Sequence, residues 1–517
     1  MNRLIRFEIP LSGLLLAIIF LRSISVVAHA EAIPVAVNDS WNSQVIAAPS
    51  PSVPNGIILV NTLLDENDGS CSDDDCSLRD AIQVANPGDT INFSVTGTII
   101  LNSGRLLINK DLTINGPGRD NLTIDGNDNG QVFYVFASYH VNISGLTITN
   151  GINMYGYGGG MYNSGYLTMT DVSFYRNNSI NPQSGSGLYN EGVATLANVT
   201  FSENYNDGLY NKVISTLTDV IFSENASHGI NNYGNVSLTN VSFINNSGVS
   251  GAGLYNHTSS ISTLTNVTFN GNSASSNGGG MYNDDHLTST LTNLIFTGNS
   301  ASVGGGLYTR SEISLTNITF SNNSADTGGG MTIVMGIDHT LILTNVTFSG
   351  NKATNYGGGL SVSNGTAKLT NVTFSGNSAN SGGGIYVWET WGTLKMKDSI
   401  LSSNSAPNGP NCGGILTSYG YNLIQDATGC TITGNEIGNI YGEDPLLGPL
   451  GNYGGYTPTH ALLAGSPAID AADSTNVDGN LVTLDQRGIP RPQGPANDIG
   501  AFEYVNKVFF WLPVILK

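Results

Sequence analysis

The chain has 517 residues, of which 65 are glycine and 62 are asparagine, while only 11% are charged and the formal net charge is −20. So few charges argue against an ordinary enzyme surface and against charge-driven disorder, glycine shows no collagen period, and the acidic balance excludes a basic surface for nucleic acid. With 39% hydrophobic residues, this composition is typical of repetitive β-structure.

Residues 1–30 have the pattern of a signal peptide for export. Two arginines precede an apolar stretch, Leu11–Leu21, and small residues surround the predicted cleavage point after Ala30. An uncleaved membrane anchor is the alternative, but this stretch is shorter than the ~20 residues that span a bilayer. We therefore expect a secreted or cell-surface protein with no transmembrane span.

The segment after the signal peptide changes character twice. Residues 31–56 are rich in proline and predict a linker, whereas residues 57–115 predict an N-terminal cap and the first strands. Ser77–Asn86 is the one clear helix, because apolar residues recur in it at helical spacing and Pro87-Gly88 follows it. We expect this helix to cover the N-terminal end of the repeat array that follows.

The chain contains four cysteines, which fit an exported protein. Their positions favour two local disulfides, Cys71–Cys76 and Cys412–Cys430, as the simplest of the possible pairings. Zinc binding is the alternative, but neither pair has the usual metal-ligand spacing or a nearby histidine.

An acidic loop lies beside the first cysteine pair. Asp73, Asp74 and Asp75 are consecutive within it, and their carboxylates are candidate ligands for Ca²⁺. Their spacing does not match an EF-hand, so a solvated loop is the simpler interpretation. No other cofactor is indicated, since the sequence holds no P-loop or dinucleotide-binding fingerprint.

Residues 116–405 form an array of repeats of the type Leu-Thr-Asn-Val-Thr-Phe-Ser-Gly-Asn. The phenylalanines recur every 21–28 residues with a mean spacing of 25, and each is followed three positions later by asparagine. Most copies continue into a glycine cluster and a short apolar strand. Such repeats are typical of a solenoid. The phenylalanines are Phe174, Phe201, Phe222, Phe243, Phe269, Phe296, Phe320, Phe348 and Phe374.

The side-chain pattern within one copy predicts the shape of a coil. Leu369 has the opposite parity to Val372 and Phe374, so one unbroken strand cannot bury all three. A bend at Thr370-Asn371 solves this, and Ile385–Val387 forms a third strand. The predicted fold is an all-β, three-sheet parallel β-helix with coils stacked at ~4.8 Å.

Stacking of identical coils predicts two internal ladders. The phenylalanines should lie over one another, and so should the asparagines that follow them. The side-chain amide of each ladder asparagine can bond its equivalents above and below, and asparagine tolerates left-handed backbone angles. Matches to the N-glycosylation pattern, as at Asn198-Val199-Thr200, then reflect a bend of the coil.

Three parts of the chain resemble known families. Cys76–Ile82 resembles the CSLREA-type N-terminal domain of exported bacterial proteins, with Asp80 where that family has glutamate. The repeats, with Phe-x-x-Asn and Gly-Gly-Gly-Ile, resemble those of the polymorphic outer membrane proteins and of the wider right-handed β-helix, pectin-lyase-like superfamily. Residues 444–504 are similar to the choice-of-anchor Q domain, through motifs such as Gly465-Ser466-Pro467-Ala468-Ile469-Asp470.

These resemblances imply a right-handed β-helix protein, secreted or attached to a bacterial surface, with no assigned chemistry. Residues 406–504 are then the last coils and a C-terminal cap. Residues 505–517 form an apolar tail, which we interpret as a sorting or attachment signal or as a final strand.

One group of polar residues departs from the repeat. Glu203 and Glu224 lie two positions after phenylalanine in adjacent short coils, and Asp207 and His228 lie six positions after it. These four residues are expected to line a depression. Two carboxylates one coil apart match the ~5 Å separation of retaining glycosidases, or a Ca²⁺ site. Solvated turn positions are the simpler interpretation, and we assign no catalytic residue.

Tyrosine recurs directly after the glycine clusters. If these side chains alternate outward from the buried residue before them, they form an exposed aromatic stripe suited to stacking on sugars. The candidate binding residues are Tyr162, Tyr189, Tyr210, Tyr255, Tyr282, Tyr308 and Tyr386.

Two functions are consistent with these patterns. The first is a monomeric, non-enzymatic adhesin or envelope scaffold that binds a glycan or a surface protein along the solenoid. The alternative is a polysaccharide lyase or glycoside hydrolase that uses Glu203 and Glu224. A lyase needs a basic residue beside its carboxylates, and Lys212 is the nearest by repeat position.

Overall fold

The computed structural model describes residues 56–506, except 73, 155, 181–184, 259 and 285–288. The chain divides into two units, Met1–Val53 and Pro54–Lys517, and all of the described residues belong to the second. The predicted signal peptide with its cleavage point after Ala30, the linker, Asp73 and residues 507–517 of the tail therefore lie outside the described residues. No helix in the described part of the chain is long and apolar enough to cross a membrane.

The described unit is a parallel β-helix, as predicted. Each coil has two strand segments separated by a bend and a third, shorter strand, and each segment pairs in parallel with its equivalent in the next coil. The strands of the first two sides are Ile57–Val60, Thr90–Phe93, Gly97–Ile100, Leu112–Asn115, Leu122–Asp125, His140–Thr149, Tyr166–Tyr175, Val193–Ser202, Ile214–Thr218, Ile221–Ser223, Asn235–Thr239, Ser242–Ile244, Ile261–Asn270, Ser289–Thr297, Ile313–Ser321, Thr340–Ser349, Leu360–Ser375, Gly392–Lys397, Ile400–Ser402, Cys412–Tyr419, Leu423–Ile424, Cys430–Asn435 and Ile440–Tyr441.

The third side follows the glycine clusters. Its strands are Leu106–Ile108, Phe133–Val135, Met161–Asn163, Leu188–Asn190, Leu209–Asn211, Ile230–Asn232, Leu254–Asn256, Met281–Asn283, Leu307–Thr309, Met331–Val334 and Ile385–Val387, and the start of Leu360–Ser375 also pairs here. Short strands in the turns are Ile152–Asn153, Asn178–Ser179, Ser247–Ser250, Ser273–Asn277, Ser324–Thr327 and Lys352–Tyr356, and Leu447–Gly451 pairs antiparallel with Thr459–Leu462.

The predicted helix is present as Leu78–Val84. The Ser77 hydroxyl accepts a hydrogen bond from the Asp80 backbone N–H at 3.1 Å, which caps its first turn. Leu78 is buried in the continuous core of the solenoid. Both predicted disulfides, Cys71–Cys76 and Cys412–Cys430, are formed.

The predicted phenylalanine ladder is confirmed. All nine rings are fully buried. Neighbouring ring centroids are 4.5–5.2 Å apart, and their planes are tilted by no more than 10°. Burial of each ring is worth roughly 1.5–3 kcal/mol, so this column stabilises the interior along most of the array.

The predicted asparagine ladder is confirmed in its bonding. Asn272 accepts from the Asn246 side chain at 2.9 Å and donates to the Asn299 side chain at 3.0 Å and to the Phe243 carbonyl at 2.9 Å. A second ladder, which sequence reasoning missed, follows the tyrosines, with side-chain amides 2.7–3.1 Å apart. Its members are Asn163, Asn190, Asn211, Asn232, Asn256 and Asn283.

The ladder asparagines do not themselves have left-handed backbone angles. Within the described coils, the left-handed angles fall three positions before phenylalanine, as at Asn198 with φ 52°, and two positions after it, as at Asn245 with φ 53°. The coil bends at those two places. The ladder asparagine follows the second bend, where its amide points inward.

The C-terminal segment packs along the side of the coils. Gln486 is buried and donates to the Thr319 hydroxyl at 2.9 Å, while its carbonyl accepts from Thr347 at 2.6 Å. Asn371 donates to the Gly500 carbonyl at 3.3 Å. Because these contacts reach residues 319–371, the segment covers several coils laterally as well as lying at the C-terminal end.

We predict that replacing a ladder asparagine destabilises the solenoid. Asn272→Ala leaves buried donors and acceptors of two neighbouring coils unpaired, at a cost of about 1–3 kcal/mol. Urea denaturation should report this loss. Asn270→Ala, at an exposed position of the same coil, is the matched control, and equal effects of both changes would contradict the assigned role of the ladder.

A second prediction concerns Asp398, which the C-terminal segment buries. Its Oδ1 accepts from the Asp473 N–H at 3.1 Å, and its Oδ2 has no hydrogen-bond partner among the described residues. Burial raises the pKa of Asp398 from 3.8 to about 7. The folded chain therefore binds the proton of the Asp398 carboxyl group more tightly than the unfolded chain does. The stabilisation from this protonated carboxyl group is complete below pH 3.8 and is lost as the pH rises through about 7.

Asp398→Asn should remove this loss and raise stability at pH 8 by about 1–3 kcal/mol, with little change at acidic pH. Thermal unfolding across this range measures the difference between the variant and the native chain. Asp128→Asn, at an exposed turn, should leave the pH dependence unchanged, and a native-like profile in Asp398→Asn would refute the assignment.

Candidate functional site

Glu203 and Glu224 occupy the second bend of two adjacent short coils. Both have left-handed backbone angles, with φ 51° and 55°, at a position where several longer coils carry glycine, such as Gly271. Side chains with a Cβ seldom adopt this conformation, at a cost of about 1–2 kcal/mol. Arg176 stands at the same place one coil earlier, with φ 52°. Three successive coils thus present a charged side chain at a bend.

The charged groups at this bend pair between coils. Arg176 binds Glu203 through two nitrogens, at 2.8 and 2.9 Å from Oε2, and these side chains are 51% and 40% exposed. Lys212, the basic residue expected nearest to the carboxylates, instead binds Glu191 at 2.8 Å. The basic partner of the candidate pair is therefore Arg176, which repeat position shows once Phe174 is aligned with Phe201.

Asp207 and His228 meet on the other side of this turn. Asp207 is fully buried, and its Oδ1 lies 2.7 Å from Nδ1 of His228. Its Oδ2 accepts from the Asn231 amide at 3.0 Å. Both carboxylate oxygens are thus bonded within the protein, whereas Glu203 bonds to Arg176. The bonds divide the four candidates into a surface group, Glu203 and Glu224, and a largely buried group, Asp207 and His228.

The recurring tyrosines form a closed stack instead of an exposed stripe. Tyr189 lies between Tyr162 and Tyr210, with ring centroids 5.4 and 5.0 Å away and planes within 13°. Tyr189, Tyr210 and Tyr282 are buried, and the predicted exposure of their faces was wrong. Outward-facing rings one coil apart cover each other. Tyr162, Tyr255, Tyr308 and Tyr386 are half-buried.

The stack is diverted at the shortest coils. Asn231 takes the register position between Tyr210 and Tyr255. Tyr233 stacks on Tyr210 at 5.2 Å, and His257 stacks on Tyr233 at 3.5 Å and contacts Tyr255 at 4.2 Å. The sequence analysis did not predict that Tyr233 and His257 replace the missing ring, although the repeat alignment shows Asn231 at a tyrosine position.

His257 connects the detour to the buried acid. Its Nε2 lies 2.8 Å from the Asn231 side-chain oxygen, and Asn231 in turn bonds Asp207. Burial, with a smaller effect of the neighbouring His228, lowers the pKa of His257 from 6.5 to about 4, although Asp207 acts in the opposite direction. The ring is therefore neutral at pH 7, when its Nε2 can donate to the amide oxygen.

Of the candidate Ca²⁺ ligands, Asp74 and Asp75 are among the described residues. Within the described residues, no group of three or more histidine, cysteine or acidic side chains is arranged to hold a metal ion. Asp73 lies outside those residues. The acidic loop is instead held by Asp65, which binds Arg79 at 2.8 Å and accepts from the backbone N–H of Asn102 at 2.7 Å.

Three segments match a known repeat family. Residues 293–310, 345–363 and 371–387 match the Chlamydia polymorphic membrane protein repeat. Each contains the phenylalanine, the ladder asparagine and a glycine triplet, so the resemblance of the repeats is confirmed there. The CSLREA-type and choice-of-anchor Q resemblances stay predictions. Comparison with curated proteins finds no match.

Solved structures show distant likeness to the chain. Pectate lyase Pel9A is 15% identical with a TM-score of 0.31, covering 87% of this chain and 97% of its own. An α-1,3-glucanase from Streptomyces thermodiastaticus is 16% identical with a TM-score of 0.36, covering 71% and 70%. The mannuronan C-5 epimerase AlgE4 A-module of Azotobacter vinelandii is 12% identical with a TM-score of 0.27, covering 70% and 91%. With scores this low, function has to be argued from the residues of the chain.

We predict that His257 makes the short coils sensitive to acid. The pKa of His257 is lower in the folded chain than in the unfolded chain. The neutral ring therefore contributes its full stabilisation above pH 6.5, and this stabilisation is lost as the pH falls through about 4. His257→Phe keeps an aromatic ring between Tyr233 and Tyr255 without a titrating nitrogen. Its thermal stability, measured relative to the native chain, should therefore improve as the pH is lowered from 7 to 4.

The exposed His339→Asn variant is the control and should follow the native profile. An unchanged difference between His257→Phe and the native chain at every pH would contradict the role given to this histidine.

Proposed function

We propose that the chain is a non-enzymatic, exported surface protein whose β-helix acts as an adhesin or envelope scaffold and binds a glycan or a protein. The observation that carries this proposal is that the carboxylates of Asp207 and Glu203 are already bonded to other groups of the protein. Asp207 has both oxygens bonded inside the turn, and Glu203 is bonded to Arg176. Retaining glycoside hydrolysis needs two carboxylates that both face the scissile bond. The match to polymorphic membrane protein repeats supports a place at a bacterial surface.

The outer face of the coils supports an extended binding role. Hydroxyl side chains align in register from coil to coil, as at Thr216, Ser237 and Thr263. A second column two positions later includes Thr218 and Thr239. These residues are exposed or half-buried. From Thr216 to Ser314 the first column carries only hydroxyl side chains, which suit a ligand with repeating hydroxyl or amide groups.

A polysaccharide lyase is the second candidate, and one observation favours it. Arg176 lies against Glu203, so a basic group stands beside a carboxylate at an exposed bend. A guanidinium at this place could neutralise the carboxylate of a uronic acid. The net charge of −20 opposes binding of a polyanionic substrate.

Product release distinguishes the two functions. We expect the purified chain to release neither reducing ends nor unsaturated products from polygalacturonate, alginate or neutral glucans, because Glu203 is paired with Arg176 and both oxygens of Asp207 are bonded within the protein. Binding to a glycan array or to purified envelope polysaccharide should be detected with the same preparation. Glu203→Gln and Arg176→Ala should leave that binding within about twofold, since exposed ion pairs contribute little.

Release of unsaturated product that Glu203→Gln abolishes, while a matched Glu312→Gln variant retains it, would establish the lyase and overturn the proposal.

A further inference from the structure

The tyrosine stack ends before the last coils of the solenoid. Tyr308 pairs in register with Thr332, and Thr332 pairs with Ser361. An aromatic residue returns to this column only at Tyr386, whose neighbours in register are Ser361 and Gly413. With small residues on both sides, Tyr386 is not enclosed between two equivalent rings.

Other aromatic residues gather around Tyr386 at an angle. Ring centroids are 4.7 Å apart for Tyr356 and Tyr386, 4.9 Å for Tyr356 and Trp388, and 5.4 Å for Tyr386 and Trp388, with planes tilted by 45–79°. The Trp388 indole donates to the Ser361 hydroxyl at 3.3 Å, which fixes the ring. Tilted rings do not cover each other, so Trp388 is 38% exposed.

A second tryptophan, Trp391, follows three positions after this aromatic cluster of Tyr356, Tyr386 and Trp388 in the chain. Trp391 lies on the same tight turn, since its backbone N–H donates to the Trp388 carbonyl at 3.2 Å. It is 61% exposed. An indole so exposed, on a turn fixed by a backbone hydrogen bond, contributes nothing to the core and offers a flat apolar surface to a ligand.

A cavity of about 360 Å³ adjoins Tyr386. The disulfide Cys412–Cys430 joins its walls, because Cys412 precedes Gly413 on one wall and Cys430 follows Gly429 on the other. The lining is uncharged and offers hydroxyl and amide groups. It consists of Ser381, Tyr386, Pro407, Asn408, Gly409, Gly413, Gly414, Thr428 and Gly429.

We propose that the aromatic cluster, the exposed Trp391 on the turn after it and this cavity bind a neutral glycan chain. The inference rests on the proposed function, to which it gives a location and a ligand class. The apolar face of a sugar ring can stack on an exposed indole, while its hydroxyls bond to Asn408 and Thr428. Uncharged walls on a chain of net charge −20 select against polyanionic glycans. Rings already fixed by packing lose little entropy on binding.

Affinity electrophoresis and calorimetry on the full chain test the proposal. The probes are neutral polysaccharides (a β-glucan, a mannan and a galactan), with polygalacturonate as the anionic comparison. We expect at least one neutral polysaccharide to bind and to change tryptophan fluorescence. Trp391→Ala should weaken binding by about tenfold, the loss usual for an aromatic anchor. Thr428→Val should weaken it by a few-fold, and Tyr205→Ala, an exposed aromatic in a distant coil, should leave it unchanged.

The possible results separate this inference from the proposed function. Unchanged binding by Trp391→Ala, with a native thermal transition, would overturn the site while leaving a glycan-binding solenoid in place. Binding of polygalacturonate alone, or of a protein partner alone, would overturn the site but not the proposed surface function. Cleavage of a bound glycan would overturn the non-enzymatic function, and the site would stand if Trp391→Ala still reduced binding.

Discussion

Stacking of each coil on an equivalent coil is the constraint on which the rest of the structure depends. Parallel pairing in register sets each residue about 4.8 Å from its counterpart. Phenyl rings tolerate their own copies, as Phe201 and Phe222 do at 4.8 Å. Primary amides also do so, because each carries a donor and an acceptor. Identical charges repel at this distance. A protein built in this way is therefore rich in asparagine and poor in charge.

Several of the charges that remain pair with the opposite charge in a neighbouring coil. Arg176 faces Glu203 in the next coil, Glu191 faces Lys212, and buried Asp207 faces His228. Glu203 and Glu224 look like a repelling pair in the sequence, but Glu203 turns toward the arginine of the preceding coil. Because Glu203 is paired with Arg176, the two glutamates are better described as surface charges at successive bends than as a catalytic pair.

Much of the coil could be predicted from sequence because many copies repeat the same pattern of buried and exposed positions. The parity of Leu369 and Phe374 requires a bend, and every repeat agrees. Parity also shows that a tyrosine such as Tyr189 points outward, but it does not show whether the neighbouring rings cover it. The lateral contact of Gln486 with Thr319 joins a unique segment to a repeated one, so no periodic pattern reveals it. Pairing of Asp207 with His228 likewise depends on the local path of one short turn.

Recognition by such a solenoid is expected where repetition fails. A continuing ladder satisfies its own members, since each ring face and each amide already has a partner in the next coil. Where Asn231 interrupts the tyrosine stack, Tyr233 and His257 stack in its place, so the neighbouring ring faces stay covered. At Thr332 and Ser361 no other ring continues the stack. The next rings, Tyr386 and Trp388, are tilted against each other beside the cavity whose walls the Cys412–Cys430 disulfide joins. Aromatic faces are therefore covered along a continuous stack and become exposed where the stack ends, and that end is where we expect this fold to bind a ligand.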